Sequence, residues 1–262
     1  SHIKAINPNA SMVVAPSDHL ITKEMEFLNA IERGLHFVEG SNHLLTLGIK
    51  PNRPETGYGY IQASDEGDAY FKKVKTFTEK PNLEMATIFM QSGEFFWNSG
   101  VFMWSVQTID QAFKDFLPEI AQKFESGMSY MNTDKEQEFI DEMFPSCQNI
   151  SIDYGIMEHA QSVYVLCGDF GWSDLGTWGA LCDLSTPDAD NNVVLKCQAL
   201  TYDCKDNIVV LPEGKLAVLH DLEGYIVVES DNALLVCKRT DEQRIRQFVN
   251  DVSMLPESEK FI

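Results

Sequence analysis

Apolar residues follow two regimes along this chain, with the change near residue 187. Before it, short β-branched or aromatic runs alternate with longer segments of helical period. SMVVAP (11–16) reads as a buried strand ended by Pro16. Thr22 is then placed to cap a helix reaching about Val38. Glu24 and Glu26 lie in its first turn, and Phe27, Ile31, Leu35 and Val38 form one apolar stripe. HLLTLGI (43–49) and the alternating KVKTFTE (73–79) predict two more strands. Pro81-Asn82 opens a helix to about Gln91 that Gly93 closes. VFMWSV (101–106) is a further strand, and helices are expected near 108–125 and 134–144. SVYVLCG (162–168) is the last clear strand, with a helix after Asp174. This alternation predicts the α/β class: an open mixed or parallel sheet flanked by helices.

Between Asn192 and Cys237 only short β-rich pieces remain: NVVL, ALTY, NIVVL, KLAVL, YIVVE and ALLVC. Turns at Asp206-Asn207, Glu213-Gly214, Glu223-Gly224 and Asp231-Asn232 separate them. Strands this short, regularly spaced and without intervening helices, predict a small β-domain or β-solenoid. An amphipathic helix over 240–251 ends the pattern, with Ile245, Phe248, Val249 and Val252 on one side. Two domains follow, 1–187 and 188–262.

Composition adds little, since 44% hydrophobic and 23% charged residues is an ordinary globular balance. Charge adds more. Lys and Arg number 20 against 40 Asp and Glu, a formal net charge of -20 spread along the chain. Such a surface repels nucleic acid and anionic lipid, so neither is an expected partner. An anionic substrate must be met by local cations or a metal. The six cysteines form no CxxC pair, and Cys167, Cys182 and Cys237 sit in apolar stretches as small hydrophobes. No apolar run is long enough for a membrane span, and the chain reads as cytoplasmic.

Four polar segments stand where chemistry is plausible. PSDH (16–19) follows the first strand, and ligands of open α/β sheets sit beyond strand carboxyl ends, so Asp18 is a candidate ligand to a metal; capping a turn is its structural alternative. In FTEKPN (77–82), Glu79 and Lys80 end a strand. Alternation sends neighbours to opposite faces, which argues against a simple surface ion pair; Lys80 could meet a phosphate and Glu79 a hydroxyl. In EFFWNSGVFMW (94–104), Asn98-Ser99-Gly100 is a polar notch in an aromatic run, suited to sugar hydroxyls or to a turn between two core pieces. In FGWSDLGTW (170–178), Asp174 could cap the next helix or join Asp18 in holding a hard divalent cation. PETGYGYI (54–61) offers Gly57 and Gly59 for close backbone approach, yet it is neither a dinucleotide fingerprint nor a P-loop.

In order, VVAPSDHLI, GIKPNRPETGYGYI, VKTFTEKPN, FFWNSGVFMW, SIDYGIMEHA and GDFGWSDLGTW resemble the mannose-1-phosphate guanylyltransferases, a family of sugar nucleotidyltransferases. FTEKP is shared widely; PETGYGYI with WNSG, SIDYGIME and WSDLG is narrower. The resemblance implies a nucleotide-diphospho-sugar transferase fold of GT-A type, with a small β-helix-like domain after Asn192. It implies that Asp18 and Asp174 hold Mg²⁺ and that Lys80 binds the sugar phosphate. Glu79 and Asn98 would bind sugar hydroxyls, Gly59 would contact the sugar through its backbone, and Ser151 and Asp153 would line the same pocket. Substrates would be mannose 1-phosphate and GTP, and the product GDP-mannose; a homodimer is the candidate assembly. The family opens with a glycine-rich nucleotide loop that residues 1–11 do not resemble. The chain is therefore expected to be truncated at its start and inactive alone. A pyrophosphorylase for another sugar, or a non-catalytic regulatory homologue, stays open as an alternative.

Overall fold

The computed structural model describes residues 1–68, 70–230 and 232–261, with Asp183 described by its backbone. Two compact units divide the chain, Ser1–Trp172 and Ser173–Ile262. The first contains α1 (His2–Ile6), β1 (Ser11–Val14), β2 (Leu20–Ile21), α2 (Glu24–Val38), β3 (Leu44–Ile49), β4 (Gly59–Gly67), β5 (Phe71–Glu79) and α3 (Leu83–Ser92). It continues through β6 (Phe95–Ser105), α4 (Val106–Phe116), α5 (Pro118–Ser126), α6 (Glu136–Met143), a π-helical turn (Asp153–Met157) and β7 (Val163–Gly168). The short β8 (Trp172–Ser173) spans the division.

Six strands form a mixed sheet in the order β1-β6-β3-β7-β5-β4, and β6 also pairs with β4. Within it β3 and β7 are parallel and the other pairs antiparallel. The double pairing of β6 shapes the site. On one side of β6, Phe95–Trp97 lie along β4 and Phe102 and Met103 along β1; on the other, β3 runs beside both parts, Ile49 opposite Trp97 and Leu45 opposite Met103. The change of partners falls at Asn98-Ser99-Gly100, where Gly100 takes φ 71° and the register against β3 shifts. The polar notch is thus not a turn between two core pieces but a kink inside one continuous strand.

Several expected elements differ in detail. SMVVAP is not a buried strand: β1 lies at the sheet edge with one neighbour, and Val14 is 45% exposed. Thr22 does not cap α2, because its N–H and hydroxyl both donate to the Gly171 carbonyl, at 3.1 and 3.2 Å. The apolar stripe of α2 does pack as its spacing predicts, with Phe27, Ile31, Leu35 and Val38 against Leu45, Leu47 and Met103. Asn82 caps α3 by accepting from the Met85 N–H at 2.9 Å, and Gly93 ends it at φ 73°. The 108–125 helix is two helices, broken before Pro118. The polar GYIQASDEG does not read as a strand; it becomes β4 because β5 and β6 both supply its hydrogen bonds.

In the second unit α7 (Trp178–Asp183) precedes β9 (Val193–Leu195), β10 (Gln198–Tyr202), β11 (Ile208–Val210), β12 (Leu216–His220), β13 (Tyr225–Ser230), β14 (Ala233–Lys238) and α8 (Ile245–Ser253). β9, β11 and β13 stack in parallel, as do β10 and β12, around Val209, Leu211, Ala217 and Val227. These are the coils expected after Asn192. The Asp231 half of the Asp231-Asn232 turn lies outside the described residues. Two buried amides tie the coils together: Asn207 Nδ2 donates to Asn192 Oδ1 at 2.9 Å and to the Leu222 backbone carbonyl at 2.8 Å, and its Oδ1 accepts from the Tyr225 N–H at 2.8 Å. The compact division falls at 172/173 rather than 187/188 because α7 belongs with the second unit, where the Trp178 N–H donates to the Glu242 carboxylate. All six cysteines are free thiols.

Candidate functional site

Gly59 begins β4 directly opposite Glu79 at the end of β5. A Cβ on Gly59 would stand 2.3 Å from Glu79 Oε2 and 3.5 Å from Asn98 Cβ, so glycine is what allows that carboxyl to lie across the strand. The next residue, Lys80, leaves the strand at φ 47°, with its N–H donating to the Tyr58 carbonyl at 3.2 Å. That left-handed step breaks the alternation expected of neighbours. Lys80 Nζ consequently lies 3.5 Å from Glu79 Oε1, an ion pair that strand geometry alone argued against. The lysine side chain remains 58% exposed and the glutamate only 21%.

Asn98 stands at the kink of β6. Its Oδ1 accepts from Thr46 Oγ1 and from the Gly100 N–H, each at 3.2 Å, and its Nδ2 donates to Asp153 Oδ1 at 2.7 Å. These contacts fix the direction of the amide and leave one N–H for a ligand. Ser151 plays a local part, accepting the Tyr154 N–H at 3.3 Å at the start of the π-helical turn that carries Asp153. Gly59, Glu79, Lys80, Asn98 and Asp153 are thus brought together, with Ser151 supporting the last.

Electrostatically the cluster is tense. Burial pushes the Glu79 carboxyl above its ordinary range; Lys80 opposes the shift and the Asp153 charge adds to it. Burial likewise raises Asp153, against the hydrogen bond from Asn98. Two carboxylates held partly out of water beside a half-exposed ammonium suit a ligand that brings hydroxyl donors and a negative group together.

Sequence reasoning missed the residues behind this cluster. Glu55 is 7% exposed, accepts the Gly57 N–H at 2.9 Å and pairs with Arg53 at 3.3 Å. The Arg53 guanidinium lies 5.2 Å from the Trp97 ring centroid. Tyr58 packs edge-on to Trp97 and Trp172, and the Trp172 indole N–H donates to His19 Nδ1 at 3.1 Å. The available signal was a lone acid in a Pro- and Gly-rich segment, which reads as an exposed loop.

Asp18 belongs to the first unit and Asp174 to the second. Asp18 lies in an exposed loop, and no described residue hydrogen-bonds or ion-pairs with its carboxylate. Asp174 does not cap α7. That cap is Thr177, whose hydroxyl accepts the Ala180 N–H at 3.1 Å, whereas Asp174 Oδ1 accepts the Gly176 N–H at 3.0 Å in a tight turn. Among the described residues no group of three or more His, Cys, Asp or Glu is arranged to hold a metal ion.

The nucleotidyl transferase family profile matches residues 2–191, most of the chain and all of the cluster above. The chain belongs to the nucleotidyl transferase family. Within the family it is 32% identical over 259 residues to a mannose-1-phosphate guanylyltransferase of Escherichia coli, covering 96% of this chain and 55% of that protein. It is 35% identical over 242 residues to a putative mannose-1-phosphate guanylyltransferase of Vibrio cholerae, covering 91% and 51%. Among solved structures, that of mannose-1-phosphate geranyltransferase from Thermus thermophilus matches with a TM-score of 0.78 at 28% identity, covering 95% of this chain and 72% of the other. The chain spans about half the length of the curated relatives it matches. No helix among the described residues is long and apolar enough to cross a membrane.

Proposed function

We propose that this chain carries the sugar-phosphate half of a mannose-1-phosphate guanylyltransferase, the activity that joins mannose 1-phosphate and GTP into GDP-mannose and pyrophosphate. The observation carrying the reading is the Glu79–Lys80 hook facing Asn98 and Asp153 across Gly59. Lys80 neutralises the sugar phosphate, Glu79 and Asp153 accept from sugar hydroxyls, and Asn98 donates its remaining N–H. The names of the relatives supply mannose and the guanylyl group.

In the reaction a phosphate oxygen of mannose 1-phosphate attacks the α-phosphorus of GTP, and the bond to pyrophosphate breaks. Positioning and charge neutralisation dominate such transfers. Asp18 in the first unit and Asp174 in the second are each proposed as a Mg²⁺ ligand, and a carboxylate oxygen is the hard donor that ion takes. Bound there, Mg²⁺ would supply charge neutralisation at the phosphates. The exposed Asp18 carboxylate, unengaged among the described residues, is free for such a role.

The sequence contains no phosphate-cradling glycine loop, so the reading predicts binding without turnover for this chain. Calorimetry should detect mannose 1-phosphate, with weaker binding of free mannose and of glucose 1-phosphate, and a pyrophosphate-release assay should stay at background. Equal affinity for the three sugars would overturn the assignment of the pocket. Robust pyrophosphate release would overturn the inactivity.

A further inference from the structure

We propose that the Arg53–Glu55 pair is a positioning device for the sugar-phosphate site, setting the distance between its two walls. The inference rests on the reading just given. A carboxylate as buried as Glu55 is costly to desolvate, and pairs of this kind are often replaceable by apolar residues without loss of stability. Stability alone therefore does not explain it. What the pair touches does.

On one side, Glu55 Oε1 holds the Gly57 N–H at 2.9 Å, two residues before Gly59. Tyr58, between them, offers its carbonyl to the Lys80 N–H. The clasp thus fixes the backbone that orients Lys80 and admits the Glu79 carboxyl. On the other side, Glu55 Oε2 accepts from Arg53 Nε at 3.3 Å and lies 3.3 Å from a terminal nitrogen of the same guanidinium, so each carboxylate oxygen has its own task. The guanidinium carbon in turn lies 5.2 Å from the ring centroid of Trp97, the residue before Asn98. One ion pair therefore grips the wall bearing Gly59 and Lys80 and the wall bearing Asn98. Pro54 stiffens the link between its members, and the Glu55 N–H closes a tight turn onto the Arg53 carbonyl at 3.0 Å.

The test uses the full chain, thermal melts and calorimetry with mannose 1-phosphate. Arg53→Lys keeps the charge but loses the second nitrogen on Glu55 and the guanidinium over the Trp97 ring. It should weaken binding about tenfold, the scale of a misplaced contact rather than a lost fold, with a melting temperature close to that of the parent. Glu55→Gln keeps the acceptor for Gly57 and should weaken binding less; it serves if Arg53→Lys fails to fold. The decisive arm is the double variant with Lys80→Met. If the clasp acts by placing Lys80, Arg53→Lys should cost little more once the ammonium is gone. Unchanged affinity in folded Arg53→Lys and Glu55→Gln overturns the inference, and so does a loss that adds fully to that of Lys80→Met. If the parent chain does not bind mannose 1-phosphate at all, the functional reading falls and takes this inference with it; parent binding with unaffected variants removes the inference alone.

Discussion

Lys80 and Glu79 are neighbours in sequence with opposite consequences for the molecule. Lys80 is the nearest cation to a cluster otherwise acidic, so Lys80→Met, which keeps the stem, should weaken mannose 1-phosphate binding by about 1.5 kcal/mol, the low end for a charged hydrogen bond given its exposure. Free mannose should bind as before; a matching loss for both sugars would mean local unfolding instead. Glu79 works against stability. Its carboxyl is raised by burial, so the folded state holds the proton more tightly than the unfolded chain does. Its contribution is then fully present below the ordinary carboxylate range and is lost as pH rises through the raised value. Asp153 behaves alike. Glu79→Gln should accordingly raise the melting temperature at neutral pH, and the gain should fade toward about pH 4. It should also weaken sugar-phosphate binding. A melting temperature that falls at pH 7 and recovers in acid would show that the Lys80 pair outweighs desolvation.

At the scale of elements, what could be read in the sequence was whatever one segment decides by itself. The α2 stripe, the Asn82 cap and Gly93 stop of α3, and β3 with β7 follow from local spacing and local hydrogen bonds. What could not be read depends on partners distant in sequence. Thr22 looks like a cap until Gly171 is found beside it, and GYIQASDEG becomes a strand only between β5 and β6. The candidate site divides in the same way. FTEKPN and WNSG were conspicuous as polar residues at strand ends and in aromatic runs, whereas Arg53 and Glu55 gain meaning only from Trp97 and Gly57. Asp174 and Thr177 allow a separation of roles on one short segment. Thr177→Ala removes the α7 cap and should cost about 0.5–2 kcal/mol in a denaturant melt. Asp174→Asn keeps the acceptor for the Gly176 N–H and removes the charge, so it should weaken any Mg²⁺-dependent nucleotide binding by a larger factor than it shifts the melt. A large stability loss from Asp174→Asn would assign this carboxylate to structure.

For the whole molecule, a net charge of -20 surrounds a pocket proposed for an anion. The long-range field should slow encounter, and salt should relieve it. The association rate for mannose 1-phosphate is therefore expected to rise between about 0.01 M and 0.15 M salt, the reverse of steered association. A falling rate would mean that the local field of Lys80 dominates the approach. In the second unit, the buried amides of Asn192 and Asn207 stand 15 positions apart, one above the other at the same corner of successive coils. Rungs align by strand register rather than by chain count, since Val193 stands opposite Ile208 after 15 residues and Ile208 opposite Ile226 after 18. An insertion absorbed by the turn between two strands should therefore leave the Asn192–Asn207 rung in place, whereas one next to either asparagine would slide one amide off the other and break the hydrogen bond between them. A whole coil bearing its own asparagine would lengthen the stack and keep every rung. Length in this half is therefore free to change on the landings of the staircase but not on its treads.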